Sequence, residues 1–470
     1  MPQPAAAPAL AGAASRDTAR VLLASLVGTT VEFYDFYIYG IASALVIGPV
    51  FFAGASPGVA SLGAFLTFGI AFLARPVGSA VFGHFGDRVG RKSTLVASLL
   101  VMGTSTVLIG ALPGYARAGW LAPALLCLMR LGQGIGLGGE WGGAALLAVE
   151  NAPPGRRGWF GMVPQLGPPI GFLLANATFL SLDAGLGEQR FGAWGWRLPF
   201  LGSAVLVALG LYVRVSLHET ASFARVLDRG QRVRVPLAAV LSRHWRPLLL
   251  GSLAMMLPYV LFYVSTVFAL GYGTATRHIP RTEFLGLLCV AVLAMAATTP
   301  LSGAWSDRLG RRPVLLAGMA LAAASGFLMP PLLGEGGPAG ILLFLAIELG
   351  LMGLVFAPMG ALLPELFPPA VRYTGASAAY NLGGILGASL APSLAQRLAE
   401  RGGLAWVGWY VSAAAAISFA AVLALRETSA DTDEGEASTG SPSAGLSNAP
   451  SGPSKPLASS AQTRKEPEAL

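Results

Sequence analysis

A ten-residue segment occurs twice in this chain, and each copy lies between two long apolar stretches. The first copy reads Gly-His-Phe-Gly-Asp-Arg-Val-Gly-Arg-Lys over 83–92, and the second reads Gly-Ala-Trp-Ser-Asp-Arg-Leu-Gly-Arg-Arg over 303–312. We call this repeated segment the basic turn. Its recurrence with the same acidic and basic positions indicates two related halves, an organisation found in membrane proteins that are built from internal repeats.

Composition places most of the chain in a lipid bilayer. Hydrophobic residues make up 54% of the sequence and charged residues only 11%, whereas a soluble protein carries about 25% charged residues. In lipid, only helices and closed barrels satisfy their backbone hydrogen bonds. Apolar runs of about 20 residues favour helices, because a barrel strand needs only about 10 alternating residues. The sequence therefore predicts an all-α polytopic membrane protein.

Twelve membrane spans are predicted, and they group into two bundles of six helices. The predicted spans are 20–47, 58–85, 93–112, 121–149, 158–182, 197–216, 247–272, 282–306, 313–333, 338–363, 373–398 and 404–425. The corresponding regions are an N-terminal tail 1–19, a first bundle 20–216, a linker 217–246, a second bundle 247–426 and a tail 427–470. Ser, Pro, Gly and Glu dominate the last region and predict a disordered tail.

The distribution of Lys and Arg predicts the orientation. Basic residues concentrate in alternate short loops and in the linker, and such loops face the cytoplasm. We therefore expect both termini to be cytoplasmic and the protein to be a multi-pass protein of a bacterial inner membrane. The net charge of +8 comes from these loops and does not indicate nucleic-acid binding. Cys127 and Cys289 both fall in apolar spans, so no disulfide framework is expected.

Two acidic residues lie within the first span, where charge is costly and usually functional. Glu32 and Asp35 are three residues apart and therefore project from one side of the helix. They lie about 18–22 Å along the helix from position 20, near its middle. Either could bind and release a proton, and a buried structural ion pair is the alternative.

Two arginines in the same half are candidates for binding an anionic substrate or for coupling. Arg75 precedes a proline inside the second span, and Arg130 lies on the fourth span. Gln133 and Glu140 follow Arg130 on that span and join it as candidate substrate or coupling residues. For each of these polar residues, structural pairing within the bundle is the competing interpretation.

The second half contains fewer charged residues inside its spans. Glu348 is its intramembrane acid. Tyr259 on span seven and Tyr380 and Asn381 on span eleven are candidate substrate contacts, although such side chains more often pack between helices.

The basic turn itself predicts a gate. An aspartate at this position can cap a helix N-terminus and pair with an arginine across the interface, and Arg91 and Lys92 can satisfy helix C-termini or acidic groups. Such contacts could form in one arrangement of the two halves and break in the other. The predicted cytoplasmic gate comprises Asp87, Arg88, Arg91, Lys92, Glu150, Asp307, Arg308, Arg311 and Arg312.

Enzyme and cofactor chemistry receive no support from the sequence. The four histidines are scattered and lack metal-ligand spacing, and no nucleotide-binding loop is present. The glycine-rich run 132–139 has dinucleotide-like spacing, but it lies inside a membrane span, where small residues allow close helix packing. We therefore expect no metal and no cofactor, with a proton as the coupling ion.

With these residues in view, the chain resembles the major facilitator superfamily, and within it the metabolite:proton symporter branch near its shikimate-transporter-like members. The resemblance covers about 20–426. The segments that carry it are 28–40, 72–78, 130–143, 152–158, 196–200, 364–368 and 372–381, together with both basic turns.

This resemblance implies two six-helix bundles, alternating access and uptake driven by the proton gradient. It implies Asp35 as the proton-linked acid and Arg130 as a substrate or coupling arginine. Substrates of the branch are small polar metabolites, and we expect an anionic one, carried by a functional monomer. An antiporter that exports a drug or biosynthetic product is the first alternative, and a transporter-like sensor is the second.

Overall fold

A computed structural model describes residues 7–54, 56–215 and 233–428, and the regular elements in these ranges are all helical. The predicted linker is described only from 233 onward, where a short helix, Pro236–Arg243, precedes the second half. Most of the predicted disordered tail, from 429, lies outside the described residues. The domain boundaries proposed from the sequence stay predictions.

Six long helices form the first half. They are α1 (Ala7–Ala42), α2 (Pro57–Arg88), α3 (Arg91–Ala111), α4 (Leu121–Glu150), α5 (Arg157–Met162 continued by Gly167–Arg190) and α6 (Arg197–Val215). The first helix begins before the predicted span, but its apolar membrane-spanning part starts at Ala19, one residue from the predicted start.

The second half repeats this pattern. Its helices are α7 (Trp245–Tyr263 continued by Ala269–Ala275), α8 (Arg281–Leu309), α9 (Arg311–Ser325), α10 (Pro338–Phe356 continued by Met359–Glu365), α11 (Arg372–Gly384 and onward to 402) and α12 (404–424). Gly403, at φ 70°, separates α11 from α12.

Ten helices in the described ranges are long and apolar enough to cross a membrane, and two structural details raise the number of spans to the predicted twelve. The stretch Arg372–Ala424 contains 53 residues, about 80 Å of helix, which is too long for one crossing of a roughly 30 Å core. It therefore contains two spans. The ninth span, α9, has only 15 regular residues before irregular helical turns extend it to Glu335.

Glycines in α4 bring it against α2. A side chain at Gly134 would overlap the backbone of Ala71, and one at Gly138 would overlap the backbone of Arg75. The glycine-rich run is therefore a helix-packing surface, as the sequence predicts. This close approach fixes the position of Arg75 relative to α4.

Most of each basic turn belongs to the helices on either side of it, and the loop between them is short. Asp87 and Asp307 lie in the last turns of α2 and α8, not in the connecting loops. α2 ends at Arg88 and α8 ends at Leu309. The glycine three positions after each aspartate follows the helix end, with φ 143° at Gly90 and φ 95° at Gly310. These backbone angles favour glycine. The aspartates are consequently held on rigid helix ends that face the opposite half.

Candidate functional site

The first basic turn binds the second half of the molecule. Both carboxylate oxygens of Asp87 accept hydrogen bonds at the start of α11: the Tyr373 amide donates at 3.1 Å, and the Thr374 amide and hydroxyl donate at 2.9 and 2.8 Å. Asp87 is 1% exposed. An aspartate at a helix N-terminus satisfies free amides and interacts favourably with the helix dipole. Asp87 therefore joins the two halves.

The second basic turn makes the reciprocal contact. The amides of Gly158 and Trp159, in the first turn of α5, donate to the two carboxylate oxygens of Asp307 at 2.6 and 2.7 Å. Each half thus caps a helix of the other with its own aspartate. We call these two contacts the reciprocal caps, and we call the side of the membrane on which they lie the basic-turn side.

An arginine and a glutamate accompany each aspartate. In the first half, Arg91 lies 3.5 Å from Asp87 and 3.7 Å from Glu150. In the second half, Arg311 lies 2.8 Å from Asp307 and 3.3 Å from Glu365. The structure therefore brings predicted gate residues together in two matching groups. Glu365 completes the second group, and the sequence analysis did not include it among the gate residues.

The other basic residues of the turns occupy the periphery. Arg88 and Arg308 are exposed, and Arg88 lies 3.2 Å from His84 on its own helix. Lys92 is half-buried, and half-buried Arg312 donates to the carbonyl of Leu423 at 2.6 Å. The contacts of Arg88 and Arg312 stay within one half.

A second layer of contacts joins the halves deeper in the membrane. The rings of Trp141 on α4 and Tyr380 on α11 stack with centroids 3.9 Å apart. The Asn381 amide donates to the Gly138 carbonyl at 3.0 Å, and the Tyr373 hydroxyl donates to the Gly139 carbonyl at 2.7 Å. The molecule is therefore closed on the basic-turn side.

A cavity lies between the halves, beyond this closed layer. The empty space between its walls, counted together with the adjoining open solvent, is about 370 Å³. Both halves contribute to its walls. The lining residues are Phe33, Tyr37, Arg75, Pro168, Met255, Pro258, Tyr259, Phe262, Tyr263, Met352, Phe356 and Tyr380.

Arg75 is the charged residue of the cavity lining. It is 6% exposed, and its guanidinium lies over the rings of Phe36 and Phe72, 4.9 and 4.5 Å from their centroids. Its Nε has no hydrogen-bond partner. Tyr259 and Tyr263 of the other half interact electrostatically with it. A desolvated cation among aromatic rings is suited to bind an anionic group, and the tyrosine hydroxyls can donate further hydrogen bonds.

Arg130 occupies a different environment. It is fully buried, and its guanidinium donates to the carbonyls of Thr67 and Phe68 on α2, both at 3.2 Å, and to Gln133 at 2.6 Å. It also lies 3.7 Å from the Tyr39 ring centroid. These partners occupy the guanidinium, so in this conformation Arg130 joins helices inside the first bundle and does not line the cavity.

The two acids of α1 have different neighbours, although they share one side of the helix. Asp35 is 1% exposed and accepts a hydrogen bond from Ser203 on α6, and its Oδ2 has no partner. Glu32 is 2% exposed, and Arg75 and Arg214 are the cations that act on its charge. Glu32 therefore interacts electrostatically with Arg75 of the cavity, whereas the side chain of Asp35 lies at the contact of α1 with α6.

Glu140 forms a buried ion pair that the sequence analysis missed. Arg214, on the last turn of α6, binds both carboxylate oxygens of Glu140 and donates to the Leu95 carbonyl at 2.9 Å. Ser98 donates to the same carboxylate at 3.0 Å. The available signal was an arginine among the apolar residues near the end of the sixth predicted span, which was not singled out as a candidate.

The remaining candidates divide between the cavity and the packing surfaces. Tyr259 and Tyr380 line the cavity. Gln133 bridges Arg130 and Thr106, both at 2.6 Å. Asn381 bonds backbone carbonyls and does not line the cavity.

Comparison with known proteins agrees with this geometry. Residues 21–234 match the family model for sugar and other transporters, and residues 274–465 match the model for the major facilitator superfamily. The inner membrane metabolite transport protein YhjE of Escherichia coli is 53% identical over 415 residues, which cover 87% of this chain and 94% of that protein. The chain belongs to the major facilitator superfamily.

Further relatives support this assignment, and a solved structure shares the fold. The shikimate transporter of Escherichia coli is 35% identical, and the proline/betaine transporter of Salmonella typhimurium is 32% identical; each alignment covers 87% of this chain, with 94% and 83% of those proteins. The structure of the proton:xylose symporter XylE superimposes with a TM-score of 0.72 at 17% identity, over 88% of this chain and 97% of that one. This superfamily member is a multi-pass inner-membrane transporter of small metabolites and not an enzyme.

Proposed function

We propose that this transporter is a proton-coupled symporter that imports a small organic acid by alternating access. The observation that carries the proposal is Arg75, a buried arginine with a free Nε in a cavity walled by both halves. A cavity at the interface between two repeats is the expected position of a transporter substrate.

Arg75 is the residue that would bind the carboxylate of the substrate. Its fork of donors matches a carboxylate, and Tyr259, Tyr263 and Tyr380 would donate hydrogen bonds to the same ligand. Because these tyrosines belong to α7 and α11 while Arg75 belongs to α2, a bound acid would touch both halves. A ligand that contacts both halves can bias their relative arrangement.

Glu32 would make the coupling between substrate and proton direct. Its negative charge acts on Arg75 and would compete with an anionic substrate for that cation. Protonation of Glu32 would remove the competitor and strengthen anion binding, so that proton and acid bind together. Asp35, on the same helix and bonded to Ser203, is the acid that would carry the transported proton.

The reciprocal caps would act as the gate. In this conformation, Asp87 and Asp307 accept hydrogen bonds from four amides of the opposite halves, and these bonds would hold the basic-turn side closed. Opening toward that side would require all these hydrogen bonds to break together.

Because one chain supplies both halves, the whole cavity lining and both caps, we propose that the working unit is a monomer, with no cofactor besides the proton.

Uptake by the purified protein in proteoliposomes tests this function. A panel of radiolabelled organic acids, including shikimate, would be applied with an inward proton gradient and with no gradient. We expect at least one acid to accumulate only with the gradient and a proton ionophore to abolish accumulation. Accumulation that ignores the ionophore would contradict proton coupling, and acid-driven proton movement in the opposite direction would indicate an antiporter.

A further inference from the structure

Glu348 is a buried acid in the second half that the proposed cycle does not use. It lies on α10, 10 residues after Pro338, or about 15 Å along the helix, near the middle of a roughly 30 Å membrane core. It is 0% exposed, and neither carboxylate oxygen has a hydrogen-bond partner among the described residues.

The helices packed against the Pro338–Phe356 part of α10, which contains Glu348, are α7, α8 and α9. Their central residues, 247–275, 284–306 and 313–334, contain no Asp, Glu, Lys, Arg or His. The charged residues of these helices lie at their ends, and they are Arg246, Arg281, Glu283, Asp307, Arg308, Arg311, Arg312 and Glu335. The titratable residues on these stretches are Tyr259, Tyr263, Tyr272 and Cys289. Ser325 of α9 is the polar side chain close enough to act on Glu348 as a hydrogen-bond donor. Its hydroxyl instead donates to the Ala322 carbonyl of its own helix at 2.9 Å, and no contact of hydrogen-bond geometry joins it to the carboxylate.

The position in the first half that is equivalent to Glu348 holds a residue with hydrogen-bond partners inside its own bundle. Glu150 and Glu365 end α4 and α10 in equivalent positions. Counted back from these two glutamates, Gln133 of the first half is equivalent to Glu348 of the second, and Arg130 is equivalent to Leu345. Gln133 is a neutral amide with two short hydrogen bonds, to Arg130 and Thr106. Glu348 has an acid group at this place and no such partners.

An ionised carboxylate in this environment would be strongly unfavourable. Removing a charge from water without a partner of opposite charge is strongly unfavourable, and the central residues of the helices packed around Glu348 provide no such partner. The neutral, protonated carboxylic acid is much less unfavourable at the same position.

Met352, one helical turn further along α10, already lines the cavity. A displacement of α10 by about the length of one turn would therefore bring Glu348 to that cavity.

We propose that Glu348 is a proton-binding site of the second half: it holds a proton in this conformation and exchanges it with water when the basic-turn side opens. This inference rests on the proposed proton coupling and extends it: Glu348 adds a site in the second half to Glu32 and Asp35 of the first half. The step moves one proton between the carboxyl oxygen and water and breaks no other bond.

Infrared spectroscopy of the full-length protein in lipid tests the proposal without knowledge of the substrate. The probe is a change of buffer from H₂O to D₂O, followed by a pH titration. We expect a carboxylic-acid C=O band in the wild type that is absent in Glu348→Gln. Glu283→Gln, which removes an exposed acid on α8, is the matched control and should retain the band.

The gate provides the second arm of the experiment. The double variant Asp87→Asn/Asp307→Asn weakens the reciprocal caps. In this variant the band should shift after transfer to D₂O, and respond to a change of pH, faster than in the wild type. No Glu348-dependent band, or a band that never exchanges in this variant, would overturn the proposal. Glu348→Asp should show the band at a shifted frequency, which keeps the test valid if the Gln variant does not fold.

The same measurements separate this inference from the proposed function. Uptake that is indifferent to a proton ionophore, together with a titrating Glu348 band, would refute proton coupling and leave the proton site standing. Ionophore-sensitive uptake with an absent or non-exchanging band would refute the second proton site alone.

Discussion

At the scale of single residues, two arginines that both lie inside membrane spans have different surroundings. Arg75 and Arg130 both lie inside membrane spans of the first half. The carbonyls of α2 and the side chain of Gln133 occupy the guanidinium of Arg130, whereas Arg75 faces a cavity with a free Nε. The difference lies entirely in what surrounds each side chain.

Substituting each arginine by lysine should separate binding from stability. Arg75→Lys should weaken binding of a transported acid by at least about tenfold, because a charge-assisted hydrogen bond contributes about 1.5–3 kcal/mol. Arg130→Lys should lower the free energy of unfolding by about 1–3 kcal/mol through lost carbonyl bonds and leave affinity less affected. Competition for uptake and thermal unfolding in detergent measure the two effects. Equal loss of affinity in both variants would contradict the assignment.

Asp35→Asn should uncouple transport from the proton gradient. An asparagine keeps the shape and a hydrogen bond with Ser203 but cannot carry a proton. We expect accumulation against a gradient to be lost while exchange of labelled for unlabelled acid continues. Asp183→Asn, at an exposed acid of α5, is the control and should leave both activities unchanged. Loss of exchange together with accumulation would instead indicate a role in binding or folding.

At the scale of elements, the contacts that join the halves connect rigid helix ends. Each basic turn ends one helix and caps the first turn of a helix in the other half, α11 for Asp87 and α5 for Asp307. Gly90 and Gly310 allow the sharp change of direction that follows. Rigid elements with a small set of exchangeable hydrogen bonds are suited to two discrete arrangements.

Removing the charge of both caps should favour opening on the basic-turn side. A carboxylate at a helix N-terminus contributes about 1 kcal/mol, so each Asp→Asn change at 87 and 307 should shift the balance about fivefold. Spin labels on the exposed positions 88 and 308, one in each half, would report the separation by electron–electron distance measurements.

The controls for this measurement use the same labels. Asp183→Asn should not change the distance distribution, because Asp183 caps no helix of the other half in the described contacts. An unchanged distribution in the double cap variant would show that the caps do not hold the closed state.

At the scale of the whole molecule, the basic loops predict the orientation in the membrane, and the internal repeat determines where the cavity lies. The basic loops predict a cytoplasmic location for both termini, and the repeat places the cavity between two equivalent bundles. Packing of α2 on α11 and of α8 on α5 closes one end of that cavity. Which end faces the cytoplasm depends on the orientation of insertion.

Reporter fusions should establish that orientation. A fluorescent protein that folds only in the cytoplasm, fused after Leu470, should fluoresce, and alkaline phosphatase at the same position should be inactive. The matched fusion after Ile279, in the predicted outer loop between α7 and α8, should give active phosphatase. Active phosphatase at the C-terminus would reverse the predicted topology and place the reciprocal caps on the outer side.

The sequence by itself determined the membrane class, the twelve spans and the two halves, and it singled out the acidic and basic residues of the basic turns. These properties depend on hydropathy, spacing and repetition, which are local or periodic. Contacts between distant helices decided the rest: that Arg75 and not Arg130 faces the cavity, that Arg214 pairs with Glu140, and that Glu365 completes the second gate group. A side chain in a membrane bundle acquires its role from which neighbouring helix it faces, and that depends on the rotation and packing of helices far apart in the chain.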